Sequence, residues 1–410
     1  MLNLAKRFST FCWLDNQQYT FQPHQHECIA GIGTKRKIRS DAGHNLISLD
    51  TFLSEEQSWV FGHLSYDLKN EIHGLHSKLP DRIGFPDFFF FEPEWLIRIN
   101  GDEISIEGDR PEDLYALIHK EPVQDADHLI PIINHRINQQ DYISIIEKIK
   151  QHLLRGDSYE INFCQEFFSE HAQLDPVHLY KKLSELSPSP FSALYRIDDH
   201  WLVCASPERF LMKKDKTLIS QPMKGTSARD ENSSVDSDNR DALFKSDKER
   251  SENVMVVDLV RNDLSRVCEK GSVEVEELFG IYSFPQVHQM VSTVKGLINP
   301  KKKFSEIAKA CFPMGSMTGA PKRKVMELIE EYEQTKRGLY SGAVGYFSPT
   351  TSGVSPDFDF NVVIRSILYN SSSGYLSFLT GSGITFYSDA KKEWEECLLK
   401  AAALKKALES

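Results

Sequence analysis

None of the seven cysteines (Cys12, Cys28, Cys164, Cys204, Cys268, Cys311 and Cys397) belongs to a C-x-x-C pair or to a metal-type spacing. A scattered, odd-numbered set excludes a disulfide framework and a zinc ribbon, and is expected of reduced core thiols in a cytoplasmic protein. Long apolar runs are missing too, since no stretch reaches the roughly 18 residues that a membrane-spanning helix needs. Met1 to Leu14 carries two basic residues but no secretory apolar segment before Asp15. Basic charge is in deficit: 48 Lys and Arg against 59 Asp and Glu leave a net charge of -11. That balance argues against a nucleic-acid or anionic-membrane surface, while a local basic pocket for a small anion stays open. No repeat or low-complexity tract interrupts the chain. Its 410 residues, 40% hydrophobic and 26% charged, suffice for a large single domain or two closely packed ones.

Short strand-like runs fill the first 120 residues, among them Ser58 to Asp67, a strand leading into a bend, and Phe88 to Phe91 between Pro86 and Pro93. Core packing accounts for that aromatic run better than binding does. A polar connector over 120–140 divides an N-terminal region, 1–125, from a second segment, 139–408, that holds every chemical motif. Tyr142, Ile145, Ile146, Ile149 and Leu153 fall on one helical face that Gly156 terminates. Alternating stretches at His200 to Met212 and Thr217 to Met223, around the turn Lys213-Lys214-Asp215-Lys216, predict a hairpin. Helices are expected over Arg240 to Asp263, Pro321 to Tyr332 and Asp389 to Leu408, and strands over Gly342 to Phe347, Phe358 to Leu368 and Tyr375 to Tyr387. Regular β-α-β alternation is absent, which favours an α+β fold with large antiparallel sheets over a doubly wound one.

Lys224, in QPMKGT (221–226), stands sixteen positions after Glu208 of SPERF (206–210). The hairpin brings both towards one cavity if its register holds, although a slip of one residue would turn a side chain to the other face. A lysine whose pKa is lowered can act as a nucleophile, and a carboxyl whose pKa is raised can protonate a leaving hydroxyl. Glu249 and Glu252, and again Glu393 and Glu396, are spaced three apart on predicted helices, with Lys400 one turn beyond. Solvated helices carry such pairs routinely. Brought together, the four would make a hard oxygen site suited to Mg²⁺. Gly315 to Lys322 places small and hydroxyl residues before a helix start, either a plain cap or an anion contact. Arg365 lies in an apolar strand and needs a carboxylate partner, from the substrate or from within the protein. Gly381-Ser382-Gly383 allows close backbone approach, and His288 is either a hydroxyl ligand or a satisfied structural group.

Taken in order, these segments resemble the chorismate-utilising enzymes. The resemblance rests on GDSYEINFCQ (156–165), SPERF, QPMKGT, ERSENVMVVDLVRNDL (249–264) and HQMVSTVKG (288–296). It continues through FPMGSMTGAPK (312–322), RGLYSGAVGYF (337–347), DFNVVIRS (359–366), GSGI (381–384) and EWEECLLKA (393–401), with a fainter likeness in FGHLSYDL (61–68). The resemblance implies a chorismate-binding fold of the anthranilate synthase component I type. Anthranilate, isochorismate and salicylate synthases usually carry alanine at the position of Lys224, and isochorismate-type members carry a base lysine where this chain has Glu160. Lysine in P-x-K-G-T marks the branch that aminates chorismate at C4.

The resemblance further implies that Lys224 attacks C2, that Glu208 protonates the C4 hydroxyl, and that ammonia then displaces the lysine to give 4-amino-4-deoxychorismate for 4-aminobenzoate and folate. Glu252 and Glu396 would bind Mg²⁺ directly, Glu249 and Glu393 mainly through water. Gly225, Thr226, His288, Ser316, Thr318, Gly319, Tyr346, Arg365, Gly381, Gly383 and Lys400 would hold the substrate. No glutamine-hydrolysing motif is present, so ammonia is expected from a separate glutaminase subunit, and no lyase module follows the last motif near Ser410. Thr385 to Ser388 and Met314 depart from the family's usual small or acidic residues. Anthranilate synthesis is the alternative activity. A non-catalytic, tryptophan-binding regulator of the same fold is a further alternative, disfavoured because Lys224, Glu208 and both glutamate pairs are intact.

Overall fold

The computed structural model describes every residue except 20–22, 24–25, 42–45, 121–128, 285–286, 351–354 and 410. Two large sheets form its centre, and every pairing between described strands is antiparallel, the α+β organisation expected. The eleven-stranded sheet runs from Gly319–Ala320 through Glu160–Ser169, Tyr375–Ile384, Ser366–Asn370, His200–Ser206 and Phe191–Ile197 to Thr10–Asp15 and its neighbours. The ten-stranded sheet runs from Met223–Ala228 through Val287–Leu297, Thr217–Gln221, Arg209–Lys214, Asp357–Val362 and Ala343–Ser348 to Val60–Leu64 and Phe88–Glu92. Both sheets therefore draw strands from either side of the connector, eight residues of which (121–128) lie outside the described part. Phe61, Phe89 and Phe91 of one sheet share a buried apolar cluster with Cys12, Ile29 and Tyr195 of the other. Burial of this kind is the main source of stability, and Phe88 to Phe91 serve the core as read. All seven cysteines are free and buried, and no described helix is long and apolar enough to cross a membrane.

The helix Gln139–Leu154 follows its sequence pattern. Asn138 caps its start, Tyr142, Ile146, Ile149 and Leu153 are buried, and Gly156 takes a left-handed φ of 81° just beyond its end. Elsewhere, segments that read as continuous are broken. The helix expected over Arg240 to Asp263 is two, Ser233–Lys245 and Asp247–Ser265, parted at Ser246, whose hydroxyl accepts from the Glu249 N–H. The strand expected over His200 to Met212 splits at Pro207–Glu208, and its halves enter different sheets. Phe358 to Leu368 splits likewise, at Val363 to Arg365, where Arg365 adopts a left-handed φ of 48°. Apolar alternation continues through both breaks because the strands on each side are buried, so periodicity alone does not reveal them. The two crossings lie side by side: the Ala205 N–H donates to Arg365 O at 3.1 Å and the Val362 N–H to Glu208 O at 3.0 Å.

Candidate active site

The predicted hairpin exists, with Lys214 opposite Thr217 around Asp215. Pro222 ends its second strand, and Met223–Ala228 continues instead beside Val287–Leu297. A register shift between Met223 and Thr226 makes a bulge there, which re-aims the side chains and turns Lys224 inward. Two buried amides fix the bulge. Asn253, on the helix Asp247–Ser265, donates from Nδ2 to Lys224 O at 3.3 Å, and Gln289 donates from Nε2 to Gly225 O at 2.7 Å.

Glu208 sits at the first sheet crossing, 4% exposed. Ser316 Oγ donates to its Oε1 at 2.7 Å, and the backbone N–H of Met223, the residue before Lys224, donates to it as well. Burial pushes this carboxyl up to about 7, while the Ser316 and Met223 hydrogen bonds and the charge of Lys224 keep it from rising further. An acid so placed holds its proton near neutrality.

Lys224 Nζ donates to Glu160 Oε1 at 2.5 Å and lies 3.7 Å from Glu252 Oε2. Burial favours its neutral amine, but the carboxylates of Glu160 and Glu252, helped by Glu396, outweigh burial and hold the ammonium above the usual lysine range. The lowered pKa expected of a nucleophile is thus not what this structure shows, and the reason is the trio of glutamates. Glu160 is legible in the sequence only as the place where a base lysine is missing. A Cβ on Gly383 would collide with both Glu160 Oε1 and Lys224 Nζ, so the ion pair lies directly against that glycine. Gly383→Ala should therefore fold normally and displace both side chains. We expect turnover to fall by at least about tenfold with little change in the thermal midpoint, measured by steady-state kinetics and calorimetry.

Of the remaining glutamates, Glu249 lies over Gly225, whose added Cβ would stand 3.1 Å from Glu249 Oε2. Lys248 Nζ is 3.8 Å from Glu252 Oε1, Lys400 Nζ is 2.7 Å from Glu396 Oε1, and Glu393 is buried. Glu252 and Glu396 both act on Lys224, so the two helices that carry them face one site. Their donor chemistry suits a hard cation. As placed, lysines are their counter-ions, and among the described residues no three His, Cys, Asp or Glu side chains form a metal-sized cluster.

Other expected contacts divide. Thr226 Oγ1 donates to Gln289 Oε1 at 3.0 Å beside Lys224, and Lys400 Nζ donates to Gly381 O at 2.8 Å. Among the described residues the half-buried Arg365 guanidinium has no carboxylate partner, and burial lowers its pKa from the usual arginine value. Gly319 pairs opposite Ile161 and brings the Ser316 turn against Glu160. Thr318 is fully buried with its hydroxyl on Met314 O at 2.9 Å, which leaves it a structural part. His288 is corrected. Its Nδ1 meets Ser283 Oγ at 2.8 Å and its Nε2 meets Asp236 Oδ1 at 3.0 Å, so both ring nitrogens are engaged away from Lys224. Strand alternation turns the next residue, Gln289, to the site instead. Tyr346 is corrected as well, because its ring packs against Trp59 and Phe61 and lines a separate cavity with Asp15 and Asn361. Met314 lines the small cavity behind Glu208, and Phe386 and Tyr387 of the divergent turn are exposed. Asn253 and Gln289 were missed as site residues, although a buried amide next to a motif residue in an amphipathic segment is a readable signal, and Glu160 was noted only for the lysine it replaces.

Comparison with known proteins agrees with this geometry. Residues 10–406 match the family described as chorismate binding enzyme. Aminodeoxychorismate synthase component 1 of Bacillus subtilis is 33% identical over 371 residues, covering 86% of this chain and 77% of that protein. An anthranilate synthase component I-like protein of Synechocystis is 33% identical over 364 residues, 86% of this chain and 72% of that protein. Among solved structures, anthranilate synthase component I from Streptococcus pneumoniae superposes with a TM-score of 0.81 at 25% identity, over 92% of this chain and 91% of that one. The chain belongs to the chorismate-binding enzyme family and is a chorismate-utilising enzyme.

Proposed function

We propose that this enzyme performs the reaction for which its Bacillus subtilis relative is named, forming 4-amino-4-deoxychorismate from chorismate and ammonia. The observation that supports the reading is the approach of Lys224 to the buried Glu208 carboxyl, close enough for its charge to act on that group. Arg365, a guanidinium with no carboxylate partner among the described residues, would take a substrate carboxylate through two parallel hydrogen bonds. Lys224 must first shed a proton, and Glu160, at 2.5 Å, is the carboxylate in contact with it. The amine then forms a bond to C2, the ring double bonds shift, and the C4–O bond breaks as Glu208 gives its proton to the departing hydroxyl, which leaves as water. Ammonia adds at C4, the double bonds shift back, and the lysine is expelled.

Glu252 and Glu396, with Glu249 and Glu393 beside them, would hold Mg²⁺, whose charge would offset that of the ring carboxylate. A separate glutaminase subunit would supply ammonia in the cytoplasm, and the product would enter 4-aminobenzoate and folate synthesis. The test is product analysis of the purified protein with chorismate, Mg²⁺ and ammonium at alkaline pH. We expect 4-amino-4-deoxychorismate to accumulate. Anthranilate with pyruvate would overturn the reading in favour of the other branch, and chorismate binding without any turnover would favour a regulatory role.

A further inference from the structure

Behind the general acid lies a group of buried polar contacts that the reaction above does not use. Ser316 belongs to the short turn Gly315–Met317, and consecutive carbonyls of that turn are held from one side. Asn162 Nδ2 donates to Ser316 O at 2.8 Å, and Arg337 Nη1 donates to Met317 O at 2.7 Å. The Asn162 backbone closes the frame: its N–H donates to Thr318 O at 2.7 Å, and its carbonyl accepts from Arg337 Nη2 at 2.8 Å. Arg337, 2% exposed, is itself fixed by Glu333 through contacts of 3.0 and 2.6 Å, and Glu333 Oε1 accepts from the Cys164 N–H at 2.9 Å. A buried ion pair of this kind is a costly element to keep. Here it ties the turn to the strand Glu160–Ser169, two residues from Glu160.

We propose that Asn162, braced by Arg337, is a positioning residue that holds Ser316 Oγ on the carboxylate of Glu208. The role of Glu208 as acid rests on the function proposed above, but the positioning itself does not. A hydroxyl donating to a carboxylate favours the ionised form, so the frame sets how readily Glu208 gives up its proton. The charged or titratable groups facing Glu208 are Lys224 from the bulged strand and, around the cavity behind it, Arg209, which is paired with Asp359, Asp263, which is paired with Lys322, and Cys311. None of them touches Asn162 in a described hydrogen bond. Loss of the Asn162 amide would therefore reach Glu208 through Ser316.

The test reads the carboxyl directly, by ¹³C NMR titration of protein labelled at the glutamate side-chain carboxyl, with the Glu208 signal assigned from Glu208→Gln. Ser316→Ala should raise the Glu208 midpoint by about one pH unit, the scale of one hydrogen bond to a charged group. Asn162→Ala should raise it in the same direction, and the double variant should add nothing further. Asn162→Leu, which keeps the side-chain volume, should repeat the result if the alanine variant does not fold. A midpoint that moves in Ser316→Ala but stays put in the Asn162 variants, or shifts that add in the double variant, would overturn the proposal. Neither result depends on which product the enzyme makes.

Discussion

Lys224→Ala is expected to reduce formation of 4-amino-4-deoxychorismate by roughly 10⁴-fold, the scale seen when a nucleophile is removed from a site whose parts act as a unit. The residue is not interchangeable with another cation. Lys224→Arg keeps a positive charge beside Glu160 and Glu252, yet its guanidinium is planar, permanently protonated and unable to attack carbon. Arginine should thus preserve folding and chorismate binding while turnover stays as low as in the alanine variant. Alanine itself leaves Glu160 buried without its cation, so it should also lower stability by about 3 kcal/mol, as breaking a buried pair does. Product quantification alongside circular dichroism separates the two effects. Retained turnover in Lys224→Arg would exclude the lysine as nucleophile and leave it as a counter-ion to the glutamates.

Glu208→Gln is the second large effect, a loss of about 10²- to 10⁴-fold in turnover from removing the proton donor. It carries an opposite effect on stability. The wild-type carboxyl is raised from 4.5 to about 7 by burial. The folded protein therefore binds a proton that the unfolded chain releases between those values. Stability from this group is fully present below about pH 4.5 and is lost as pH rises through about 7, where the buried group must ionise. The difference amounts to about 3 kcal/mol at pH 8. Glutamine mimics the neutral acid at every pH, so Glu208→Gln should be more stable than wild type at pH 8 and close to it at pH 5, as measured by urea midpoints. Catalysis by the wild type, at a fixed concentration of free ammonia, should fall as pH rises above about 7. A pH-independent stability difference would mean that the carboxyl is ionised throughout.

Much of this site was legible before the structure. The approach of Lys224 to Glu208 was expected from their residue types and spacing, and the helix Gln139–Leu154 and the Phe88 to Phe91 strand follow simple periodicity. What escaped was directional. Alternation is blind to a strand that leaves one sheet and joins another when both halves are buried, so the breaks at Pro207 and Val363 were unseen. A one-residue error in which side of a strand faces the pocket separates His288, closed off by Ser283 and Asp236, from Gln289, which reaches the bulge. The ionisation of Lys224 depends on three carboxylates from distant segments, at 160, 252 and 396, which no local pattern brings together.

The side-by-side sheet crossings act as a fixed ruler. Glu208 and Arg365 each occupy a crossing, and the crossings are joined by backbone hydrogen bonds on both sides. The spacing of the Glu208 and Arg365 backbones is thereby built into buried sheet. Glu252 and Glu396 ride on two helices outside that frame. On the function proposed above, such a ruler would select by length: a ring whose leaving group and anchored carboxylate are spaced differently could bind at one end or the other, but not be measured by both.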